Sequence, residues 1–142
     1  MYSVFEPRLT FKDKTAVFKT LMTNNISGTS PVVEEFEAKC ANKFEMKYGV
    51  AVSNGSVALD LALQLLDLKE GDEVIIPSFT IISCLSAVIR TKAKPIFCDV
   101  DNLTWNMSFE NVQEKITDKT KAIIVVHTYG LVCDVEKIKE HC

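Results

Sequence analysis

From Val50 onward the chain alternates short apolar runs with helical patterns, and this alternation constrains the fold more than any other feature. The runs are Val50 to Ser53, Glu73 to Pro77, Pro95 to Val100 and Ala122 to Thr128. They are near-continuous in apolar residues, as expected of strands covered on both faces in a parallel sheet. Helical patterns separate them at residues 56–66, 79–92 and 109–117, and a last one starts near Asp134. Strands alternating with helices predict an α/β fold with a mainly parallel sheet and helices on both faces.

The chain before Val50 reads differently. After an irregular arm, residues 15–22 predict a short helix, and Asn24-Asn25 with Ser27-Gly28-Thr29-Ser30 predict a loop. Ser30 is an N-cap candidate, Pro31 suits a first helical position, Glu34 and Glu35 favour the helix start, and Gly49 can close the far end. Val33, Phe36, Cys40 and Phe44, spaced by three and four, make this an amphipathic surface helix.

The helix that starts at Ser56 has a narrow polar stripe of Asp60, Gln64 and Asp67, and apolar residues elsewhere. It is expected to be buried on most sides, under a second domain or a second subunit. A chain of 142 residues builds one ordinary core and supplies little of that cover.

A net charge of −3 on a mixed surface, without a basic run, argues against nucleic acid as a partner. The apolar runs are too short and interrupted to span a bilayer, and the start, MYSVFEPRLTFKDK, has no signal-peptide pattern. A cytoplasmic protein is expected. Cys40, Cys84, Cys98, Cys133 and Cys142 are odd in number and contain no Cys-x-x-Cys pair. They read as reduced, mostly buried thiols ahead of a catalytic nucleophile.

Ligands of open α/β sheets bind beyond the carboxyl ends of the strands. Those ends are Ser53-Asn54-Gly55-Ser56, Pro77-Ser78-Phe79-Thr80, Asp99-Val100-Asp101 and His127-Thr128-Tyr129-Gly130. At the first, Gly55 permits close backbone approach, and Ser56 opens a helix whose free N–H groups and hydroxyl suit a phosphate. On those residues alone a Ser-capped strand-to-helix turn is at least as good a reading. Dinucleotide binding is disfavoured, because Gly-x-Gly-x-x-Gly is missing and the second strand ends in Pro77-Ser78-Phe79 without an acid for a ribose. Asp99 and Asp101 read as a solvated strand end leading into a turn. His127 reads as a hydrogen-bonded structural histidine before a pocket-rim residue. No hydrolytic triad or metal-ligand spacing emerges, so neither catalytic nor metal-binding residues are assigned.

Four segments in order carry a resemblance: residues 52–59 (VSNGSVAL), 71–80 (GDEVIIPSFT), 93–101 (AKPIFCDVD) and 120–130 (TKAIIVVHTYG). Together with the loop Ile26-Ser27-Gly28-Thr29-Ser30-Pro31 they resemble the DegT-type nucleotide-sugar aminotransferases, pyridoxal-phosphate enzymes of fold type I. The resemblance implies pyridoxal 5′-phosphate as cofactor, with Asn54, Gly55 and Ser56 at its phosphate. Ile81 takes the place where many members stack an aromatic ring on the pyridine; it can pack there without a π face. A nucleotide-linked keto-sugar and glutamate are the implied substrates, amino-sugar and polysaccharide biosynthesis the implied setting, and a homodimer the implied assembly.

The same family needs a lysine for a Schiff base and an acid facing the pyridine nitrogen. Lys92, Lys94, Lys119 and Lys121 all precede strands, at the wrong edge of the sheet. Residues 1–30 are therefore expected to form an arm and leading loop, and residues 31–142 the N-terminal part of a fold type I large domain that stops before its catalytic half. The family's sheet sets the second strand between the third and fourth and pairs the first with the last, which leaves Val50 to Ser53 without a neighbour. Alone, such a chain is expected to be inactive. The alternatives are a non-catalytic phosphate-binding or dimerisation module derived from that family, and a generic nucleotide-binding α/β domain.

Overall fold

The structure is a computed structural model and describes residues 6–140. Met1–Phe5 of the arm, His141 and the fifth thiol, Cys142, lie outside the described residues. The chain divides into two compact units after Ala51.

The first unit holds α1 (Phe11–Met22) and α2 (Pro31–Lys43). Thr10 and Asp13 form a reciprocal capping box, which starts α1 four residues before the predicted Thr15. Ser30 stands at the N-cap of α2 with Pro31 at its first turn, but the Ser30 side chain makes no capping bond. Gly49 does not end this helix. Phe44 is the C-cap and Glu45 takes the left-handed conformation at φ 55°. Gly49 is needed for another reason, since a Cβ there would lie 2.6 Å from the Glu37 carbonyl oxygen. Neither helix buries a residue fully, and Phe36 and Phe44 of the predicted stripe are exposed.

The second unit contains α3 (Gly55–Gln64), β1 (Glu73–Pro77), α4 (Ile82–Arg90), β2 (Lys94–Cys98), α5 (Phe109–Gln113), β3 (Thr120–Ile123) and α6 (Val135–Lys139). All three strands are parallel in the order β2-β1-β3, so the predicted second strand does lie between the third and fourth. Every residue of β1 is buried. Its side chains alternate between two cores: Val74 and Ile76 pack with Leu63, Ala87 and Val88 of α3 and α4, while Ile75 packs with Val112 and Ile138 of α5 and α6. Helices thus cover both faces, as the apolar runs predicted.

Three expectations need correction. Residues 50–53 form no strand, because they make no ladder hydrogen bond to any described strand; Ala51 N–H instead donates to the Glu37 carboxylate at 2.7 Å. The ladder of β3 ends at Ile123, with one further bond from Ile124 N–H to the Ile75 carbonyl, so residues 125–127 run on as loop into a single 3₁₀ turn at Thr128–Gly130. The helix predicted from Phe79 starts at Ile82, which leaves Ser78 to Ile81 as a connection on the carboxyl edge of the sheet. The α3 helix is also far less covered than its composition suggests. Only Leu63 is buried, and Val57, Leu61, Leu65 and Leu66, on the helix and just after it, are exposed.

Cys84, Cys98 and Cys133 are buried free thiols and Cys40 is half-buried. Burial, chiefly, pushes the Cys98 thiol up to about 11, which makes it a core hydrophobe and a poor nucleophile. Among the described residues no helix is long and apolar enough to cross a membrane.

At the opposite edge of the sheet, Glu73 is buried and accepts from the Thr117 hydroxyl at 2.7 Å and from Lys94 Nζ at 3.3 Å. The Thr117 bond, ahead of Lys94, holds its carboxyl below the ordinary glutamate value of 4.5. A carboxylate depressed in the folded state stabilises fully above its unfolded pKa, and that contribution is lost as pH falls through the folded value. Melting temperature should therefore drop on the acid side of about pH 4.5. Glu73→Gln should show a smaller acid-side drop, and an identical pH profile in the two proteins would refute the assignment.

Candidate functional site

The sharp junction into α3 depends on Asn54. Its backbone is extended and its Oδ1 accepts from Val57 N–H at 3.1 Å, so Asn54 is the N-cap and the helix begins at Gly55. The predicted Ser cap is therefore incorrect. Asn54 satisfies the third amide of the helix, and its carbonyl accepts from Ala58 N–H at 3.2 Å. The amides of Gly55 and Ser56 have no hydrogen-bond partner among the described residues. Relieved of capping, the Ser56 hydroxyl pairs with the Ser83 hydroxyl of α4 at 2.8 Å.

Gly55, Ser56 and Ile81 line one cleft of about 600 Å³ together with Ser83, Ile124 and His127. Three of the four residues singled out in the sequence thus meet in one place. The fourth, Asn54, stands outside that lining and acts through the helix start. A Cβ added to Gly55 would meet no protein atom within 4 Å, so the space next to its amide is open. Ile81 is 67% exposed over the cleft.

His127 fills both roles read from the sequence. Its Nδ1 accepts from Cys133 N–H at 3.1 Å, which leaves the ring proton of the neutral form on Nε2, and the residue lines the cleft. Asp99 accepts from the Ser78 hydroxyl at 3.3 Å and from Val100 N–H at 2.9 Å. Asp101 caps a turn through Leu103 N–H, Thr104 N–H and the Thr104 hydroxyl. The Thr104 amide, then its hydroxyl, then the Leu103 amide hold the Asp101 carboxyl below its ordinary range, as a solvated turn requires. Ser83 was missed. It is the second residue of α4, and its only sequence signal is one more hydroxyl after those of Ser78 and Thr80.

The cleft presents two free amides and a hydroxyl pair at a helix start, an apolar wall and a histidine. That donor set fits a phosphate monoester carrying a flat, largely apolar ring. The residues lining it include neither a lysine nor a carboxylate. Among the described residues no group of His, Cys, Asp and Glu could hold a metal.

Comparisons with known proteins bear on the family and the fold. The profile of the DegT/DnrJ/EryC1/StrS aminotransferase family matches residues 8–142. GDP-perosamine synthase of Escherichia coli O157:H7 is 47% identical over 137 residues, 96% of this chain and 38% of that protein. The crystal structure of an aminotransferase from Psychrobacter cryohalolentis superposes with a TM-score of 0.87 at 39% identity, over 94% of this chain and 34% of that one. GDP-4-keto-6-deoxy-D-mannose-3-dehydratase of E. coli, solved with bound hydrated PLP, gives a TM-score of 0.87 at 27% identity, over 99% of this chain and 37% of that one. The chain therefore spans well under half the length of the relatives it matches.

Asn54→Ala should lower stability by about 1 kcal/mol through the lost cap. Ser56→Ala, which removes no cap, should cost less in the same urea titration. Equal losses in the two variants would return the capping role to Ser56.

Proposed function

Because the chain belongs to the DegT/DnrJ/EryC1/StrS aminotransferase family and carries part of its fold type I large domain, we propose that it is the cofactor-phosphate-binding portion of a pyridoxal-phosphate-dependent sugar aminotransferase. The observation that carries this reading is the pair of free amides at Gly55 and Ser56, opening on a cleft with an apolar wall. In this reading residues 1–30 are the arm and leading loop, and residues 31–142 the N-terminal part of the cofactor domain. The complete enzyme transfers an amino group, from glutamate, to a nucleotide-linked keto-sugar in amino-sugar biosynthesis in the cytoplasm, as a homodimer.

The Gly55 and Ser56 N–H groups and the Ser56 hydroxyl donate to the phosphate, assisted by the positive end of α3. Asn54 fixes the direction of those donors without touching the ligand. With the Ser56 proton given to the phosphate, the Ser83 hydroxyl would donate to Ser56 Oγ and so set which way that hydroxyl points. Ile81, exposed in the cleft lining, would give the cofactor ring an apolar surface to pack on and exclude water there. His127 Nε2–H offers a donor at the rim. The bound cofactor supplies an electron sink for breaking bonds next to an amino group. The lysine and the acid that such chemistry needs are not among the residues lining the cleft. We place them outside this chain's span, which makes the chain alone inactive.

Pyridoxal phosphate should bind the chain saturably in equilibrium dialysis, and pyridoxal without its phosphate about tenfold more weakly. Gly55→Ala should weaken the phosphate-bearing form while leaving the melting temperature unchanged, because the new methyl meets no protein atom. Equal binding of the two compounds would remove the phosphate grip. Transaminase turnover by the chain, or borohydride fixation of cofactor to a single lysine, would overturn its inactivity.

The second reading is a non-catalytic phosphate-binding or dimerisation module, and the exposed apolar residues of α3 favour it specifically. Sedimentation would then give a discrete folded dimer. A monomer that aggregates would count against the module and for a plain portion of the enzyme.

A further inference from the structure

Next to the phosphate cleft lies a second one of about 400 Å³, lined by Phe79, Thr104, Trp105, Thr128, Tyr129 and Leu131. His127 lines the first and Thr128 the second, so the two share a wall. Three aromatic side chains meet there, one from the segment after each strand of the sheet. The Phe79 and Trp105 rings make an edge-to-face pair with centroids 4.7 Å apart. Trp105 is 52% exposed and Tyr129 85% exposed.

Both Trp105 (φ 59°) and Tyr129 (φ 52°) have left-handed backbones. That conformation is uncommon outside glycine and is an outlier for bulky residues. Four other residues share it, but Asn24, Glu45, Asp67 and Lys92 each follow a helix end, where such a conformation is ordinary. Trp105 instead sits in the loop after β2 and Tyr129 in the middle of the 3₁₀ turn Thr128–Gly130, where its backbone departs from the helical conformation, and the two segments are stitched to each other. The buried Asn106 donates to the Leu131 carbonyl at 2.8 Å and accepts from Thr128 N–H at 3.1 Å, and the Thr128 hydroxyl donates to the Trp105 carbonyl at 3.2 Å. Strain of this kind persists where the surroundings over-determine it, and it concentrates at ligand clamps. Here it holds two exposed rings at one opening, next to the phosphate cleft. Neither ring is needed there to fill a core.

We propose that the Phe79–Trp105–Tyr129 cleft is a stacking site for a planar nucleobase, the base of the nucleotide-linked substrate. The inference rests on the sugar-nucleotide reading above and adds where the base sits. Stacking on aromatic faces accepts any base, so the cleft contributes affinity and leaves the choice of base to polar groups around it.

Trp105 is the single tryptophan of the chain, so its indole N–H gives one signal in an amide correlation spectrum. Guanosine 5′-monophosphate serves as the probe, with ribose 5-phosphate as the control that has the phosphate and lacks the base. The nucleotide should shift the Trp105 signal saturably and ribose 5-phosphate should not. Tyr129→Gly should weaken the nucleotide about tenfold while leaving the melting temperature unchanged or raised, because glycine relieves the positive φ. Tyr129→Phe should keep the affinity. Equal responses to both probes would overturn the inference. So would undiminished binding in Tyr129→Gly, or a signal that moves only with protein concentration and marks a contact between chains. In the same spectra the Gly55 amide should move with pyridoxal phosphate. A responding Gly55 beside a silent Trp105 sinks the base site alone, whereas a silent Gly55 removes the phosphate reading and the base site with it.

Discussion

Everything in the second unit hangs on β1. It is the only described strand with a hydrogen-bonded neighbour on each side, and its buried side chains are divided between two cores. Because successive strand residues point to opposite faces, three adjacent positions suffice to tie α3 and α4 to one face and α5 and α6 to the other. A one-residue slip would exchange Ile75 with its neighbours and empty both cores together. Parallel pairing then fixes direction: all three strands deliver their chain ends to the same edge. That edge carries Phe79 and Ile81 after β1, Asp101 and Trp105 after β2, and His127 and Tyr129 after β3. The site is thus a consequence of the register of one five-residue strand.

The opposite edge takes the other half of the chemistry. Glu73, Lys94 and Thr117 join there in one hydrogen-bonded group. The lysines that precede strands belong to this edge, which is why none of them lines the cleft.

Sequence reading recovered what periodicity encodes. β1 was read at its observed bounds, the start of α6 was read near Asp134, which caps it, and the α/β class followed from strand and helix alternation. It failed where hydrogen bonding, not hydropathy, decides. Residues 50–53 are as apolar as a strand and have no ladder partner, and residues 125–128 are apolar but run past the pairing of β1. The α3 cap shows the same limit. Ser56 and Asn54 are both good capping residues, and only the backbone geometry assigns the role to Asn54. The turn pattern and the resemblance to a family both pointed to Gly55 and Ser56, and the resemblance alone to Ile81; the three line one cleft. Ser83 and the pair Trp105 and Tyr129 were not legible, since one of two serines in an otherwise apolar helix and a left-handed aromatic leave no periodic trace.

The two clefts also differ in what a sequence must preserve to keep them. At Gly55 and Ser56 the donors are backbone amides, and what matters is a cap, a residue small enough for close approach and a helix to follow. Many sequences meet those terms, so a phosphate grip of this kind carries little information about the rest of the ligand. The aromatic cleft is built from side chains on loops, where each ring is an individual choice and the backbone is held in an unfavourable conformation to present it. Under the proposed reading the two clefts serve different molecules: the amides hold the cofactor phosphate, and the rings add affinity for the base of the substrate. On these proposals a division of labour would follow along one edge of one sheet: the α3 start anchors the cofactor, and the loops after β2 and β3 present rings on which a base can stack, with the choice of base left to polar groups around them.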